Sequence, residues 1–123
     1  MAKILVVDDE EDVLELARVF LEAEGYTVQT AESGEEALAR LEEDRPDLVL
    51  LDVVMPGLSG LDVCRRLKRD ESTRGIPVVI FTALGTEVDM MLAEGDKADG
   101  YLQKPFTRSL LLEKVKQFLG NSA

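Results

Sequence analysis

The chain alternates between short apolar runs and longer segments whose apolar residues recur at helical spacing. Five runs have the length of strands and cover about residues 4–8, 27–30, 48–52, 78–82 and 100–103. The other segments predict five helices: one ending at Gly25, one from Ser33 to just before Pro46, one over about 59–69, one near 86–94, and one over 108–119. Strict alternation of strand and helix is typical of βαβ units, which build a parallel sheet.

Residues that cap helices stand at the predicted helix ends. Gly25 follows the first helix, at the position where glycine readily adopts the left-handed conformation. Ser33 and Ser59 precede the second and third helices, and an acidic residue follows each serine three positions later, Glu36 and Asp62 respectively. This spacing predicts a capping box, in which each side chain accepts a hydrogen bond from the other residue's backbone N–H.

Apolar residues spaced three and four apart predict which side of each helix is buried. The predicted buried residues are Val13, Leu16, Ala17 and Phe20 in the first helix, Ala37, Leu38 and Leu41 in the second, and Leu111, Val115, Phe118 and Leu119 in the fifth. In the third helix, Cys64 shares a face with Leu61 and Leu67, which predicts an inert buried thiol. Arg65, Arg66, Lys68 and Arg69 could form a basic patch, but we interpret them as the solvated end of that helix, where positive charges offset the negative pole of the helix dipole.

These elements predict an α/β fold with a doubly wound, five-stranded parallel sheet and five helices on its two faces. The run at 48–52 is apolar on both faces and is therefore predicted to be central. The run at 27–30 is the least apolar, which favours an edge position. Right-handed crossovers with helices on both faces give the usual order 2-1-3-4-5, a flavodoxin-like αβα sandwich. We expect residues 1–123 to form a single domain, without a second, output domain.

Composition limits the partners and the location of the chain. Its net charge of −11 argues against direct binding to nucleic acid and against an anionic membrane surface. No apolar stretch approaches the roughly 20 residues that cross a bilayer, and we expect no signal peptide in the first residues. We therefore predict a cytoplasmic protein.

The chain contains no histidine and one cysteine, Cys64. An internal disulfide, a thiolate metal cage, a Ser-His or Cys-His nucleophile pair and an imidazole metal site are all excluded by this composition. Any chemistry has to use carboxylates, hydroxyl groups and amines.

Polar side chains stand where four of the five predicted strands end. Asp8 and Asp9 end the first strand, Asp52 the third, Thr82 the fourth, and Lys104 follows the fifth. The carboxyl ends of parallel strands lie at one edge of a sheet, where open α/β folds bind ligands. We therefore expect three carboxylates, a hydroxyl and an ammonium to converge there.

This set suits a divalent cation and a phosphoryl group. Two carboxylates about 4 Å apart repel each other by roughly 4 kcal/mol at an effective dielectric constant near 20, which a bound cation would relieve. A site that offers oxygen ligands, without nitrogen or sulfur, favours Mg²⁺. Asp52 is then the candidate nucleophile, because a carboxylate that attacks phosphorus forms an acyl phosphate. Capping of the first helix by Asp8 and Asp9 is an alternative, but it leaves Asp52 unexplained.

Several motifs together resemble those of one family. Asp8-Asp9, Asp52 followed by Val53-Val54-Met55-Pro56-Gly57, Thr82-Ala83, and Lys104-Pro105-Phe106 stand at the spacing found in receiver domains of two-component response regulators. The resemblance extends over essentially the whole chain. It implies that Asp52 accepts a phosphoryl group from a histidine kinase, a phosphotransfer protein or a small acyl-phosphate donor. It also implies that the domain is not a turnover enzyme.

The resemblance implies roles for the surrounding residues as well. Mg²⁺ would be bound by Asp9 and Asp52 directly, by Asp8 through water, and by the backbone carbonyl of Val54. Lys104 and Thr82 would contact the phosphoryl oxygens. Thr82 and Tyr101 would form a switch pair that changes the face made by the fourth helix, fifth strand and fifth helix, to which an unknown protein target binds.

Two departures from the family pattern lead to further expectations. Val54 and Leu84 are apolar at positions from which a polar side chain could orient an attacking water, so we expect the Asp52 phosphate to hydrolyse slowly. Lys97 stands where many relatives carry glycine, and it would be strained if that position requires positive φ.

Two other classes fit the chain less well. A haloacid dehalogenase-type phosphohydrolase also uses an aspartate nucleophile, but it needs a second Asp two residues later, and Val54 occupies that place after Asp52. A flavin-binding electron carrier needs a phosphate loop after the first strand, where Asp8-Asp9-Glu10-Glu11 would repel phosphate.

Overall fold

The computed structural model describes residues 2–53, 55–82 and 98–120. The strands are β1 (Lys3–Val7), β2 (Thr27–Ala31), β3 (Leu48–Asp52), β4 (Val78–Thr82) and β5 (Gly100–Gln103). The helices of the described residues are α1 (Glu11–Ala23), α2 (Gly34–Glu43), α3 (Gly60–Arg69) and the C-terminal helix α4 (Arg108–Leu119), which corresponds to the fifth predicted helix. The predicted fourth helix, with Leu84 and Lys97, lies outside the described residues.

The five strands form one parallel sheet in the order β2-β1-β3-β4-β5, which confirms the predicted fold class and topology. β3 is central and every one of its residues is buried, whereas β2 lies at an edge and is mostly half-buried. In the register between β1 and β3, Val7 lies opposite Leu51. The residues that follow this pair, Asp8 and Asp52, therefore project beyond the apolar part of the sheet together.

The core consists of two apolar layers, one on each face of the sheet. Alternation along β1 sends Leu5 and Val7 into the layer beneath α2 and α3, and Ile4 and Val6 into the layer beneath α1 and α4. Such alternation follows from the two-residue period of a strand. Because helices cover both faces, both sets are apolar, which explains why β1 is a continuous hydrophobic run.

The helix caps are largely as the sequence predicts. Ser59 and Asp62 form a reciprocal capping box at the start of α3. At α2, Ser33 accepts the predicted hydrogen bond from Glu36 N at 3.0 Å, but the Glu36 carboxylate accepts from Glu32 N rather than from Ser33 N. Gly25 follows α1 with a φ of 95°, the left-handed conformation expected of a glycine there.

The predicted buried face of α1 is correct for Ala17, but the helix is rotated so that Leu14 and Leu21 are buried and Leu16 is not. Leu14, Ala17 and Leu21 are its buried residues, whereas Val13 and Phe20 are half-buried and Leu16 is 45% exposed. α1 carries two apolar stripes at helical spacing, and periodicity does not distinguish the stripe that faces the sheet. In α4 the prediction holds for Leu111 and Val115, which are buried, while Phe118 and Leu119 are partly buried.

The end of α3 is only partly solvated, contrary to the sequence interpretation. Cys64 is buried, as predicted. Lys68, however, folds back and donates hydrogen bonds to Ile76 O and Asp99 Oδ2, both at 2.8 Å. Asp99 Oδ2 also accepts from Val78 N, so this pair joins the end of α3 to the starts of β4 and β5. No helix in the described ranges is long and apolar enough to cross a bilayer.

Candidate functional site at the carboxyl edge of the sheet

Three carboxylates meet at the carboxyl edge of β1 and β3. One oxygen from each of Asp8, Asp9 and Asp52 lies within 4.8 Å of one from each of the others. Asp8 and Asp9 follow β1 directly, and Asp52 is the last residue of β3. The backbone of Asp8 continues the sheet past the end of β1, because its N–H donates to Ala31 O at 3.1 Å. The neighbouring position of β1 and β3 thus brings the three side chains together.

The three carboxylates differ in exposure. Asp8 is fully buried and Asp52 is 5% exposed, whereas Asp9 is exposed. Asp8 Oδ1 accepts a hydrogen bond from Glu10 N at 2.9 Å, which fixes its orientation. Asp8 is therefore the innermost carboxylate of the site and has a fixed orientation, Asp52 lies at the floor of the site, and Asp9 lies at its mouth.

The Lys104 ammonium lies among these carboxylates. Its Nζ is 2.6 Å from Asp8 Oδ2, 3.6 Å from Asp52 Oδ2 and 3.8 Å from Glu10 Oε1. Burial by itself would lower the pKa of Lys104, but the hydrogen bond to Asp8 and the surrounding carboxylate charges outweigh it, so its pKa is raised above the ordinary value. The ammonium is accordingly charged and partly neutralises the acidic cluster.

An aromatic ring lies on another side of the same ammonium. Lys104 Nζ is 5.0 Å from the centroid of the Phe81 ring, a cation–π distance. Phe81 is 2% exposed and packs edge-to-face against Phe106, with ring centroids 6.2 Å apart. Sequence reasoning treated Phe81 only as part of an apolar strand. Phe81 lies opposite Asp52 in the register of β3 and β4, a placement beside the site that the sequence pattern did not reveal.

The segment between β3 and α3 lies against the backbone of Asp52. Gly60 N donates to Val53 O at 3.1 Å. A Cβ built on Gly60 would come within 1.9 Å of Asp52 O, a distance that side-chain carbons do not reach. Glycine is thus required at this first residue of α3, which sequence reasoning did not identify.

The structure brings four of the predicted site residues together: Asp8, Asp9, Asp52 and Lys104. The backbone of Thr82 ends β4, and Tyr101 lies on the edge strand β5 with half of its side chain exposed. The placement of the Thr82 side chain, and of Val54, lies outside what the structure describes.

The donor set fits a hard divalent cation. Carboxylate oxygens are the ligands that Mg²⁺ prefers, and Mg²⁺ takes one or two of them and completes its shell with water. Exposed Asp9 and nearly buried Asp52 supply such oxygens within one cation's reach of Asp8.

An apolar groove of about 330 Å³ borders the acidic cluster. Val13 and Leu16 of α1 form one wall, and Pro105 and Phe106 form the other. Glu10 and Lys104 stand where the groove meets the acidic cluster. This edge of the sheet therefore presents an apolar surface next to a charged one.

Comparison with known proteins agrees with this arrangement. Residues 4–116 match the family model described as the response regulator receiver domain. The chain is 43% identical to the phosphate regulon transcriptional regulatory protein PhoB of Rhizobium meliloti, over 97% of this chain and 52% of that protein. It is 42% identical to the alkaline phosphatase synthesis transcriptional regulatory protein PhoP of Bacillus subtilis, over 98% of this chain and 49% of PhoP.

Solved structures give the same result. The chemotaxis protein CheY4 of Vibrio cholerae superposes with a TM-score of 0.89 at 30% identity, covering 96% of this chain and 98% of CheY4. A putative response regulator of Chloroflexus aurantiacus gives a TM-score of 0.88 at 35% identity, covering 96% of this chain and 97% of the other. The chain spans about half the length of PhoB and PhoP. It belongs to the response regulator receiver domain family of two-component signalling systems, homologous to phospho-accepting domains of the PhoB, PhoP and CheY type.

Proposed function

We propose that residues 1–123 form one receiver domain whose phosphoacceptor is Asp52, and that Mg²⁺ assists its phosphorylation. The observation that carries this proposal is the position of Asp52, within 4.8 Å of two further carboxylates and 3.6 Å from the Lys104 ammonium. A nucleophile for phosphorus needs its own negative charge and that of the incoming group compensated. The acidic cluster recruits a cation, and Lys104 adds a positive charge of the protein's own.

In the proposed step, a carboxylate oxygen of Asp52 forms a bond to the phosphorus of the donor. The bond from phosphorus to the donor breaks at the same time, and its electron pair leaves with the donor. For a kinase phosphohistidine that bond is P–N, and the released imidazole takes up a proton from solvent. For acetyl phosphate it is P–O, and acetate is released. The product in both cases is an acyl phosphate on Asp52.

Mg²⁺ would be held by Asp9 and Asp52 directly, by Asp8 through water and by the backbone carbonyl of Val54. The bound ion would supply positive charge to the transferring phosphoryl oxygens. Asp8 is held by Glu10 N, so it can orient a water without moving. Lys104 and Thr82 would bind the phosphoryl oxygens that face them.

We further propose that Thr82 and Tyr101 transmit the change. When the Thr82 hydroxyl binds the phosphoryl group, space opens behind it, and the half-exposed ring of Tyr101 turns inward. The responding surface would be formed by β5, α4 and the segment between β4 and β5. Within the described residues, Leu110 of α4 is 49% exposed, which suits a protein contact.

Receiver domains are signalling modules rather than classical enzymes, and response regulators interact with histidine kinases and downstream effectors. We propose a protein target for this domain and no direct contact with nucleic acid, because the net charge of −11 would repel phosphates. The groove of Val13, Leu16, Pro105 and Phe106 is suited to the protein that donates the phosphoryl group, because Lys104, whose Nζ lies 3.6 Å from Asp52 Oδ2, also lines it. We also propose a cytoplasmic location for this domain.

The test is incubation with acetyl phosphate and Mg²⁺, followed by intact-mass measurement. Wild-type protein should gain one phosphoryl group, and Asp52→Asn should gain none. Asp44→Asn is the matched control, since Asp44 is an exposed carboxylate beyond the end of α2, and it should be modified like wild type. An adduct that survives in Asp52→Asn, or no wild-type adduct with either acetyl phosphate or a phosphorylated histidine kinase, would disprove the assignment.

A further inference from the structure

The Lys104 side chain is held from two sides. On one side lie the carboxylates of Asp8, Asp52 and Glu10, with Asp8 nearest at 2.6 Å. On the other lies the face of the Phe81 ring, 5.0 Å from Nζ. Only 13% of the lysine side chain is exposed, so this contact is largely shielded from water and is stronger than its surface equivalent.

The carboxylates alone do not determine where the ammonium lies. A lysine side chain has a flexible four-carbon stem, and three acceptors at different distances leave it several arrangements. The Phe81 ring restricts these arrangements, because it fills the space below Nζ and attracts the cation to its face. Phe81 is itself fixed by burial in the layer beneath α1 and α4 and by its edge-to-face contact with Phe106.

We propose that Phe81 is a positioning residue for phosphoryl transfer, which acts by holding the Lys104 ammonium within reach of Asp52. This inference rests on the proposed function, in which Lys104 binds a phosphoryl oxygen. Phe81 offers no ligand to the phosphoryl group or to a metal ion, because its side chain is a hydrocarbon ring. Its effect passes through Lys104 alone, and this distinguishes it from a residue that only fills the core.

The contact itself is tested by NMR on the unphosphorylated protein without Mg²⁺. Protons on the ε-carbon of Lys104 that lie over the ring are shifted upfield by its ring current. Phe81→Leu should move them downfield, towards values of an unstructured lysine. Phe118→Leu is the matched control, because it is the same substitution in the same apolar layer. The Phe118 ring lies next to Gly100, at the opposite end of β5 from Lys104. Phe118→Leu should leave the Lys104 signals in place. The proposal would be overturned if the ε-carbon protons of Lys104 in wild type had the chemical shifts of an unstructured lysine, even if Asp52 is phosphorylated.

The function of the contact is tested by the rate of Asp52 phosphorylation from acetyl phosphate at saturating Mg²⁺. Loss of a shielded cation–π contact should slow Phe81→Leu by roughly five- to tenfold. Affinity for Mg²⁺, measured by NMR titration, should change less than about twofold, because Phe81 offers the cation no ligand. Phe118→Leu should phosphorylate at the wild-type rate. Phe81→Met, which fills a similar volume without an aromatic face, should be slowed like Phe81→Leu, and it serves as the second variant if the leucine variant is poorly folded.

A double-mutant cycle with Lys104→Met separates positioning from packing. If Phe81 acts through Lys104, adding Phe81→Leu to Lys104→Met should cause no further slowing. Equal slowing by Phe81→Leu with and without Lys104 would overturn the proposal. An unphosphorylated wild type would instead disprove the proposed function, and the ring-current measurement would still decide the contact.

Discussion

Gly60, the first residue of α3, lies so close to the backbone of Asp52 that a Cβ on Gly60 would come within 1.9 Å of the Asp52 carbonyl oxygen. The end of β3 and the start of α3 are therefore packed backbone to backbone. The hydrogen bond from Gly60 N to Val53 O reinforces this contact. As a result, the position of the Asp52 carboxylate depends on a residue that takes no part in the chemistry.

Gly60→Ala should impair both folding and phosphorylation. The methyl group has to displace backbone, and such overpacking costs about 2 kcal/mol of unfolding free energy. Because the displaced backbone carries Asp52, the rate of phosphorylation by acetyl phosphate should fall more than about tenfold at temperatures where the variant is folded.

Two other glycines serve as controls for this prediction. Gly75→Ala meets nothing within 4 Å and should change the unfolding free energy by less than about 0.5 kcal/mol. Gly34→Ala would approach Leu58 O at 2.6 Å and should also destabilise the fold, but it should slow phosphorylation much less. Equal slowing in the Gly34 and Gly60 variants would show that the effect is general destabilisation.

Lys104→Met should destabilise the protein in a manner that Mg²⁺ partly reverses. The substitution removes the ammonium that lies 2.6 Å from buried Asp8, so the negative charges of Asp8 and Asp52 are no longer compensated. Loss of one partner of a buried ion pair lowers the unfolding free energy by about 3 kcal/mol. A divalent cation replaces the lost charge, so added Mg²⁺ should stabilise the variant more than wild type. Urea unfolding with and without Mg²⁺ measures the difference. Equal stabilisation of the two proteins would contradict the view that Lys104 neutralises this site.

Two leucines of α1 should differ sharply in their contribution to stability. Leu14 and Leu16 both lie in α1, but Leu14 is 5% exposed and Leu16 is 45% exposed. Leu14→Ala should lower the unfolding free energy by about 3 kcal/mol, because it leaves a cavity beneath the helix. Leu16→Ala should change it by less than about 0.5 kcal/mol. The reverse order in chemical denaturation would mean that α1 is rotated towards the stripe favoured by the sequence.

Tyr26 should ionise only at unusually high pH. Its side chain is 4% exposed, and burial, aided by the charge of Glu24, raises the pKa of Tyr26 above the ordinary 10.0. The chain has two tyrosines and no tryptophan, so tyrosinate absorbance in Tyr101→Phe reports on Tyr26 alone. We expect that absorbance to rise with a midpoint above pH 10.0.

The same shift links Tyr26 to stability. Above pH 10.0 the unfolded chain loses the phenol proton while the folded protein keeps it, so the unfolding free energy should fall as pH rises towards the folded pKa. Tyr26→Phe removes this contribution and should flatten the decline. If the unfolding free energy of Tyr26→Phe fell with pH as steeply as that of wild type, groups other than Tyr26 would be responsible for the decline.

The sequence by itself was sufficient for the layout of the fold. Apolar runs bounded by Gly25, Ser33 and Ser59 marked strands and helices to within a residue or two, because caps and periodicity are local properties. Strand order followed as well, since continuous apolarity identified β3 as central and handed crossovers leave few topologies. That order was enough to bring Asp8, Asp9, Asp52 and Lys104 to one edge of the sheet.

Only the tertiary structure decided the features that depend on distances between separate elements. Two apolar stripes of α1 are equivalent in the sequence, and packing on the sheet selected Leu14 over Leu16. The approach of Gly60 to Asp52 and the placement of Phe81 beneath Lys104 join residues 8 and 23 positions apart, and no pattern along the chain records their contact. A sequence specifies local preference and the order of elements, whereas the rotation and spacing of those elements minimise the energy of the whole packed core, and so they appear only in three dimensions.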